Sequence, residues 1–363
     1  MPNTDGDPLV SARPIIRLDG ADNDALAQGL LALMVEEATE GLYRCEATFG
    51  NWGARGDEVD YLYFDRDTLD FGRRLAVRVG EGGTEAEIFD GQITGLEAEY
   101  PQARPPEIVV RAEDGLRNLR MTRRTRSFES VTDSDVIRQI ASEHALQAEV
   151  DIDDLAHYVL AQVNQSDLAF VRQLARAVDA EVWVTADLLH VQARGRRETS
   201  DLTLSYGQEL LAFSVLADLA KQRTSLTVSG WDVTQKQSIV HTATESAIQP
   251  ELNGRSSGSI ILQSAFGGRA EQIVHRVPTT TEEAHTMADA AYRQMARRFL
   301  TGHGVCRGDG RLRVGSAVTL QGLGTLFDGG YYVTEVRHTY NATDGYRTAF
   351  RVERPGLGDK VER

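Results

Sequence analysis

Lysine is nearly missing from this chain of 363 residues: Lys221, Lys236 and Lys360 are all it has. The remaining positive charge is arginine. Genome composition is the plainer source of that bias; the fitness of arginine for interface ion pairs is the second. Cysteine is almost as scarce. Cys45 and Cys306 stand far apart and neither lies in a CxxC pair, so no disulfide framework or zinc knuckle is implied. No run of 18 apolar residues exists to span a membrane. The opening MPNTDGDPLVSARP has no basic stretch leading into an apolar one. A secretory signal is therefore not expected, and a protein that works outside the cell would leave without one. Positive charge is outweighed, with a formal net charge of −15. That excludes a general binder of nucleic acid or of anionic membranes, which needs a positive surface.

What is present is an ordinary globular balance, 41% hydrophobic and 26% charged, in a chain long enough for two or three domains. Residues 1–13 read as a loose arm. Residues 14–110 read as strands and turns. RRLAVRV (73–79) alternates and runs into Gly80, Glu81, Gly82 and Gly83, a hairpin tip. AEIFDGQITGLEAEY (86–100) alternates again, and PQARPP breaks it before EIVVRAED.

From 115 to 202 the period changes to helical. TDSDVIRQIASEH predicts a helix capped by Thr132 and Asp135, with Val136, Ile137, Ile140 and Ala141 on its apolar face. SDLAFVRQLARAVDA predicts a second, capped by Ser166. EVWVT and LLHVQA, turning at Ala186–Asp187, predict a hairpin. Residues 203–235 return to strand pattern. The signal weakens after 236, where 253–258 read as a flexible loop and SIILQ as strand-like. TTTEEAHTMADAAYRQMARRFL predicts the longest helix, at about 281–299, capped by Thr280 with Glu283.

Two stretches echo each other about 240 residues apart. LAVRVGEGGTEAEIFDGQITGLEAEYPQARPPEIVVRAED and VGSAVTLQGLGTLFDGGYYVTEVRHTYNATDGYRTAFRVER share strand, Gly-rich turn, Phe-Asp-Gly, strand, turn and a strand ending Arg-x-Glu. The alignment sets Phe89-Asp90-Gly91 against Phe327-Asp328-Gly329, and Arg111 and Glu113 against Arg351 and Glu353. One β unit is thus expected twice. His338 falls inside its second copy, in a hairpin turned by NATDG, where the first copy has Ala98 or a neighbour. A structural histidine is the reading preferred over a reactive one.

Chemical motifs fail on context. Gly254-Arg255-Ser256-Ser257-Gly258 has the GxSxG spacing of a nucleophile elbow, but a polar segment precedes it. The eight histidines include no HExxH or HxxxH spacing, so no metal set is expected. Asp65 and Asp67 begin like a calcium loop, but Leu69 stands at the fifth position. The Asp153–Asp154 pair suits a loop as well as catalysis. No phosphate-binding glycine loop occurs. No catalytic, cofactor or metal residue is therefore expected. Arg111, Arg117, Arg120, Arg123, Arg124 and Arg126 form the one basic cluster. It is either a solvated segment or a contact for an acidic neighbouring subunit.

The order FDGQITGLEAEYP, VVRAEDGLRNLRMTRRTRSFESVTDSDVIRQIASEHAL, NQSDLAFVRQLARAVDAEVWV, LSYGQELLAFS, TVSGWD and LRVGSAVTLQGLGTLFDGGYYVTEVRHTY resembles the phage late control gene D family. These are tail-hub proteins of contractile phages and injection systems, similar to the hub part of type VI secretion spike proteins. The resemblance implies an α+β, mostly β fold: two similar antiparallel β-barrel-like domains with an inserted small α/β domain. The expected limits are 14–112 plus 203–235, the insert 113–202, and 236–356, with flexible ends at 1–13 and 357–363. The implied function is a structural baseplate hub, a non-enzymatic homotrimer with pseudo-sixfold symmetry. It would be assembled in the bacterial cytoplasm and join the inner tube protein to a separate spike protein. Other baseplate components and a cargo in the channel are implied partners; a membrane and specific nucleic acid are not. The alternative is a tail-associated peptidoglycan hydrolase, and a third reading is a carrier for a bound effector.

Overall fold

The computed structural model describes residues 13–80, 85–197, 200–233, 235–274 and 277–358. Most of the expected arm, the tip Glu81–Gly83 and the last five residues lie outside that set. The fold is β-rich, with the longer helices in two satellites of a large sheet and a short one, Asp24–Gly29, in the first β unit.

The first unit has six main strands, β1 (Ile15–Leu18), β2 (Leu30–Ala38), β3 (Arg44–Gly50), β4 (Arg74–Val79), β5 (Ala86–Glu99) and β6 (Glu107–Glu113), besides the short edge strand Ala21–Asp22 and a hairpin of Trp52–Arg55 and Glu58–Tyr61. The spatial order of the six is β1-β4-β5-β6-β3-β2. Alternation makes these strands: Val35, Ala47, Phe49, Ile88 and Val110 point into one core while their neighbours face out.

An α/β unit follows. It comprises β7 (Arg123–Thr132), α1 (Asp133–Glu143), β8 (Gln147–Asp151), β9 (Ala156–Ser166), α2 (Asp167–Ala177), β10 (Ala180–Thr185) and β11 (Leu188–Ala193). Thr132 and Asp135 close a reciprocal capping box on α1, and Ser166 caps α2. Val136, Ile137, Ile140, Phe170 and Val171 are fully buried between them and the sheet; each contributes about 1.5–3 kcal/mol by leaving water. The unit holds more strand than two helices and a hairpin. The basic stretch 123–132 pairs with β9, and β8 runs parallel to β11.

The second unit is split. It contains β12 (Asp201–Ser205) and β13 (Leu210–Ala217). After them comes a satellite of β14 (Ser225–Asp232), β15 (Gln237–Ala243), α3 (Gly258–Phe266), β16 (Ala270–Ile273) and α4 (Thr281–Arg297). The unit resumes with β17 (Leu300–Arg307), β18 (Ala317–Gln321), β19 (Gly329–Asn341) and β20 (Gly345–Arg354). Its spatial order is β12-β18-β19-β20-β17-β13. Strand by strand this repeats the first unit in both chain order and sheet order.

Several expectations are corrected. Residues 203–235 do not join the first unit: β12 pairs β18, β13 pairs β17, and β14 pairs β15 and β16 in a sheet of their own. Alternation reports which residues are buried and not which partner buries them. SIILQ lies in the helix α3, since a short apolar run fits a buried helix as well as a strand. The 253–258 loop contains the strand Ser256–Ser257, paired with Gly356–Leu357, where the polar tail was expected to have begun.

The echo is real in register but shifted in one motif. β5 bulges against β6 between Ile93 and Gly95, and β19 bulges against β20 between Val333 and Glu335. Thr94 and Thr334 each place a hydroxyl 3.4 Å from the carbonyl of Arg111 or Arg351. Arg111 and Glu113 therefore match Arg351 and Glu353, as aligned. Phe89 matches Gly329 instead, and the two Phe-Asp-Gly triplets are two residues out of phase. Their glycines serve different needs. A Cβ on Gly91 would lie 2.4 Å from the Glu113 carbonyl oxygen, whereas Gly329 has φ +114°. Phe89 is buried in the first core, and Phe327 packs against the second from a loop.

Candidate assembly interface

The two units meet in one continuous sheet because β2 pairs antiparallel with the second half of β19, from Glu335↔Ala38 to Asn341↔Ala32. Ion pairs pin this seam. Arg337 lies 2.5 Å from Glu36. Arg313 reaches the buried Glu37 and donates to the Glu87 carbonyl, and the Val314 amide donates to Glu37 at 3.1 Å. Burial raises the Glu37 carboxyl above its usual range, against the pull of Arg313.

The repeat supplies a second pair of edges of the same kind. β13 stands where β2 stands, and shares its sequence: Leu30-Leu31-Ala32-x-x-Val35 against Leu210-Leu211-Ala212-x-x-Val215. Both bulge after the first leucine, at Leu30/Ala32 and at Leu210/Ala212. β5 stands where β19 stands. Yet among the described residues Ala212–Ala217 of β13 pairs only with β17, and Gly95–Glu99 of β5 pairs only with β6. β13 is an edge without a charge. Leu211 is 43% and Leu216 60% exposed, and Tyr100 just past β5 is 65% exposed. An uncharged, apolar open edge invites a further strand. The leucine-alanine echo is present in the sequence but lies outside the longer matched stretches.

The residues tested for chemistry sit apart from one another. His338 is fully buried; its Nδ1 lies 2.8 Å from the Tyr346 hydroxyl and 3.2 Å from the Thr348 hydroxyl. Burial, helped by Arg313, pushes its pKa down to about 3. Its register partner in the first unit is Ala98. Because the folded pKa lies below the ordinary 6.5, His338 favours folding above pH 6.5, and that contribution is lost as pH falls from 6.5 toward 3. Wild type is expected to lose about 3 kcal/mol more than His338→Asn between pH 7 and pH 4, read by urea unfolding. The buried Asp114 and Glu37, raised by desolvation, act in the opposite sense in both proteins and cancel.

Ser256 keeps an ordinary φ within its short strand, and Ser257 caps α3 through the Ile260 amide. Asp65 pairs with Arg55 and accepts from the Asp67 amide. Asp153 pairs with Arg196, and Asp154 accepts from the Ser134 amide, so those neighbours diverge. The basic cluster is answered within the chain. Arg111 bridges Glu46 and Glu97, Arg120 holds Glu113, and Arg124 and Arg126 both hold Glu143 and Asp167. Arg117 reaches Gln92, and Arg123 donates to the Asn164 carbonyl. Cys45 and Cys306 are buried and free. No helix among the described residues is long and apolar enough to cross a membrane.

The family model described as Alg8 N-terminal domain matches residues 55–342. The chain belongs to that family. The description differs from the late control gene D name suggested by the sequence motifs. No curated protein matches. Among solved structures, the 43 kDa tail protein of prophage MuSo2 from Shewanella oneidensis is similar at 13% identity and TM-score 0.69, over 94% of this chain and 98% of that one. A tail protein from Neisseria meningitidis MC58 is similar at 11% and 0.62, over 95% and 97%. An E. coli protein described as a component of the type VI secretion system, structurally similar to T4 tail proteins gp27 and gp5, is similar at 13% and 0.55, over 95% and 79%. The chain thus has the fold of phage tail proteins.

Proposed function

We propose that the chain is a tail hub of a phage or contractile injection particle, as its resemblance to the late control gene D family suggests. Three copies would close into a ring of six similar sheets, set between a sixfold inner tube and a spike. The observation that carries this is the unpaired edge on each repeat. Within the chain, β2 of the first unit joins β19 of the second. β13 of one copy can then join β5 of the next by the same rule, and a head-to-tail contact of this kind closes a ring. Carrying the seam across sets Gly95 against Asp218, Glu97 against Leu216, Ala98 against Val215 and Tyr100 against Phe213. The count of three comes from the family resemblance.

On this reading the role is assembly, and the two units comprise residues 14–113 and residues 201–217 with 300–357. The α/β insert and the α4 satellite are their outward additions. A hydrolase reading draws no support from Ser256. The test is the solution mass of the purified chain by light scattering. The expected value is three times 40.0 kDa. A monomer at high concentration, alone and with the cognate spike, would defeat the proposal.

A further inference from the structure

The satellite carries a cluster that has no part in the assembly argument. His241 lies on β15, and His285 and Asp289 lie one turn apart on α4, which packs against β15. The His241 Nε2 is 3.4 Å from one Asp289 carboxylate oxygen, and the His285 Nε2 is 3.8 Å from the other. The two imidazole rings are 4.3 Å apart between centroids and tilted by 50°. The three ligand atoms lie within 4.8 Å of one another.

Two imidazoles and a carboxylate this close can turn toward a common point, each giving one atom. Of the two nitrogen–oxygen distances, one is long for a hydrogen bond and the other is beyond one. Donors bound at about 2.0–2.2 Å to a tetrahedral ion stand about 3.3–3.6 Å apart. Two imidazoles and a carboxylate are a familiar set for first-row dications. Residues four apart on a helix present both ligands on one face. The sequence hid the site because its third ligand comes from a strand more than forty residues upstream, outside any short spacing rule.

We propose that His241, His285 and Asp289 bind a Zn²⁺-class ion, with water in the remaining position. The ion clips α4 to β15. The core beneath is rich in small residues, with Ala243, Ala284, Ala288 and Ala296 buried there, so a cross-link at its edge replaces bulk that the helix lacks. Because the site exists only when helix and strand are docked, the ion raises the melting temperature by mass action.

The test is titration of the metal-free full chain with Zn²⁺, with Co²⁺ visible absorption as a second probe. One ion per chain is expected, with a tetrahedral Co²⁺ spectrum and a higher melting temperature. His285→Ala and Asp289→Asn are each expected to weaken Zn²⁺ binding tenfold or more and to abolish the thermal shift, with metal-free stability little changed. His285 has a 60% exposed side chain, so its removal leaves the fold in place. Binding that persists unchanged in both variants, or no stoichiometric binding by wild type, overturns the site. Neither result depends on the oligomeric state.

Discussion

An Ala98→Cys, Val215→Cys double variant is expected to cross-link between copies under mild oxidation and to run as a covalent trimer on a denaturing gel. The pairing follows from the intramolecular seam, where His338 sits opposite Val35. Opposed residues on antiparallel strands have Cα atoms about 4.5–5.5 Å apart, within reach of a disulfide. Cys45 and Cys306 are buried and will not compete. Moving one cysteine out of register, as Ala98→Cys with Ser214→Cys, turns the second thiol to the opposite face and should abolish most of the product. A Leu216→Glu variant, which sets a like charge against Glu97, should reduce the assembly to monomers of unchanged far-UV spectrum. It places a charge on an edge whose exposed leucine would be covered only in the ring. A trimer that survives Leu216→Glu and refuses the in-register cross-link would show that other edges make the contact.

Arg297→Ala is expected to destabilise the chain by about 3–5 kcal/mol, the usual cost of stranding buried partner charges. Arg297 is 3% exposed at the end of α4. Its guanidinium donates to both Asp179 oxygens at 2.7 and 2.8 Å and reaches Glu251 at 2.6 Å. Arg293 adds a second contact to Asp179 at 3.0 Å. The cluster ties α4 to the turn between α2 and β10 and to the short helix Gln249–Leu252 that precedes α3. Removing the arginine leaves Asp179, whose side chain is 9% exposed, without its main counter-charge. Adding Asp179→Asn should recover part of the loss, because the stranded charge then disappears. Urea unfolding at neutral pH reads both values. A loss below about 1 kcal/mol would mean the charges find water instead.

Local chemistry was readable wherever one residue type decides it. The capping pairs Thr132/Asp135 and Thr280/Glu283, the Ser166 cap and the Gly345 turn all act within four residues. The buried faces of β19 and β20, including His338, followed from alternation. What was misread required knowledge of distant neighbours. β12 and β13 look like any half-buried strands, and only pairing with β18 and β17 assigns them to the second unit. SIILQ has no periodicity long enough to separate helix from strand. The arginine cluster looked like a patch until its acids arrived from β3, α1 and α2.

The linear order of residues determined that one sheet is built twice: hydrophobic alternation, bulges and turn residues are short-range and recur in both copies. The three-dimensional arrangement decided which strand edges are consumed inside the chain and which stay open. It also brought His241 to the helix carrying His285 and Asp289. Backbone pairing and ligand convergence act between segments far apart in the chain, and burial patterns carry no record of the partner that produces them.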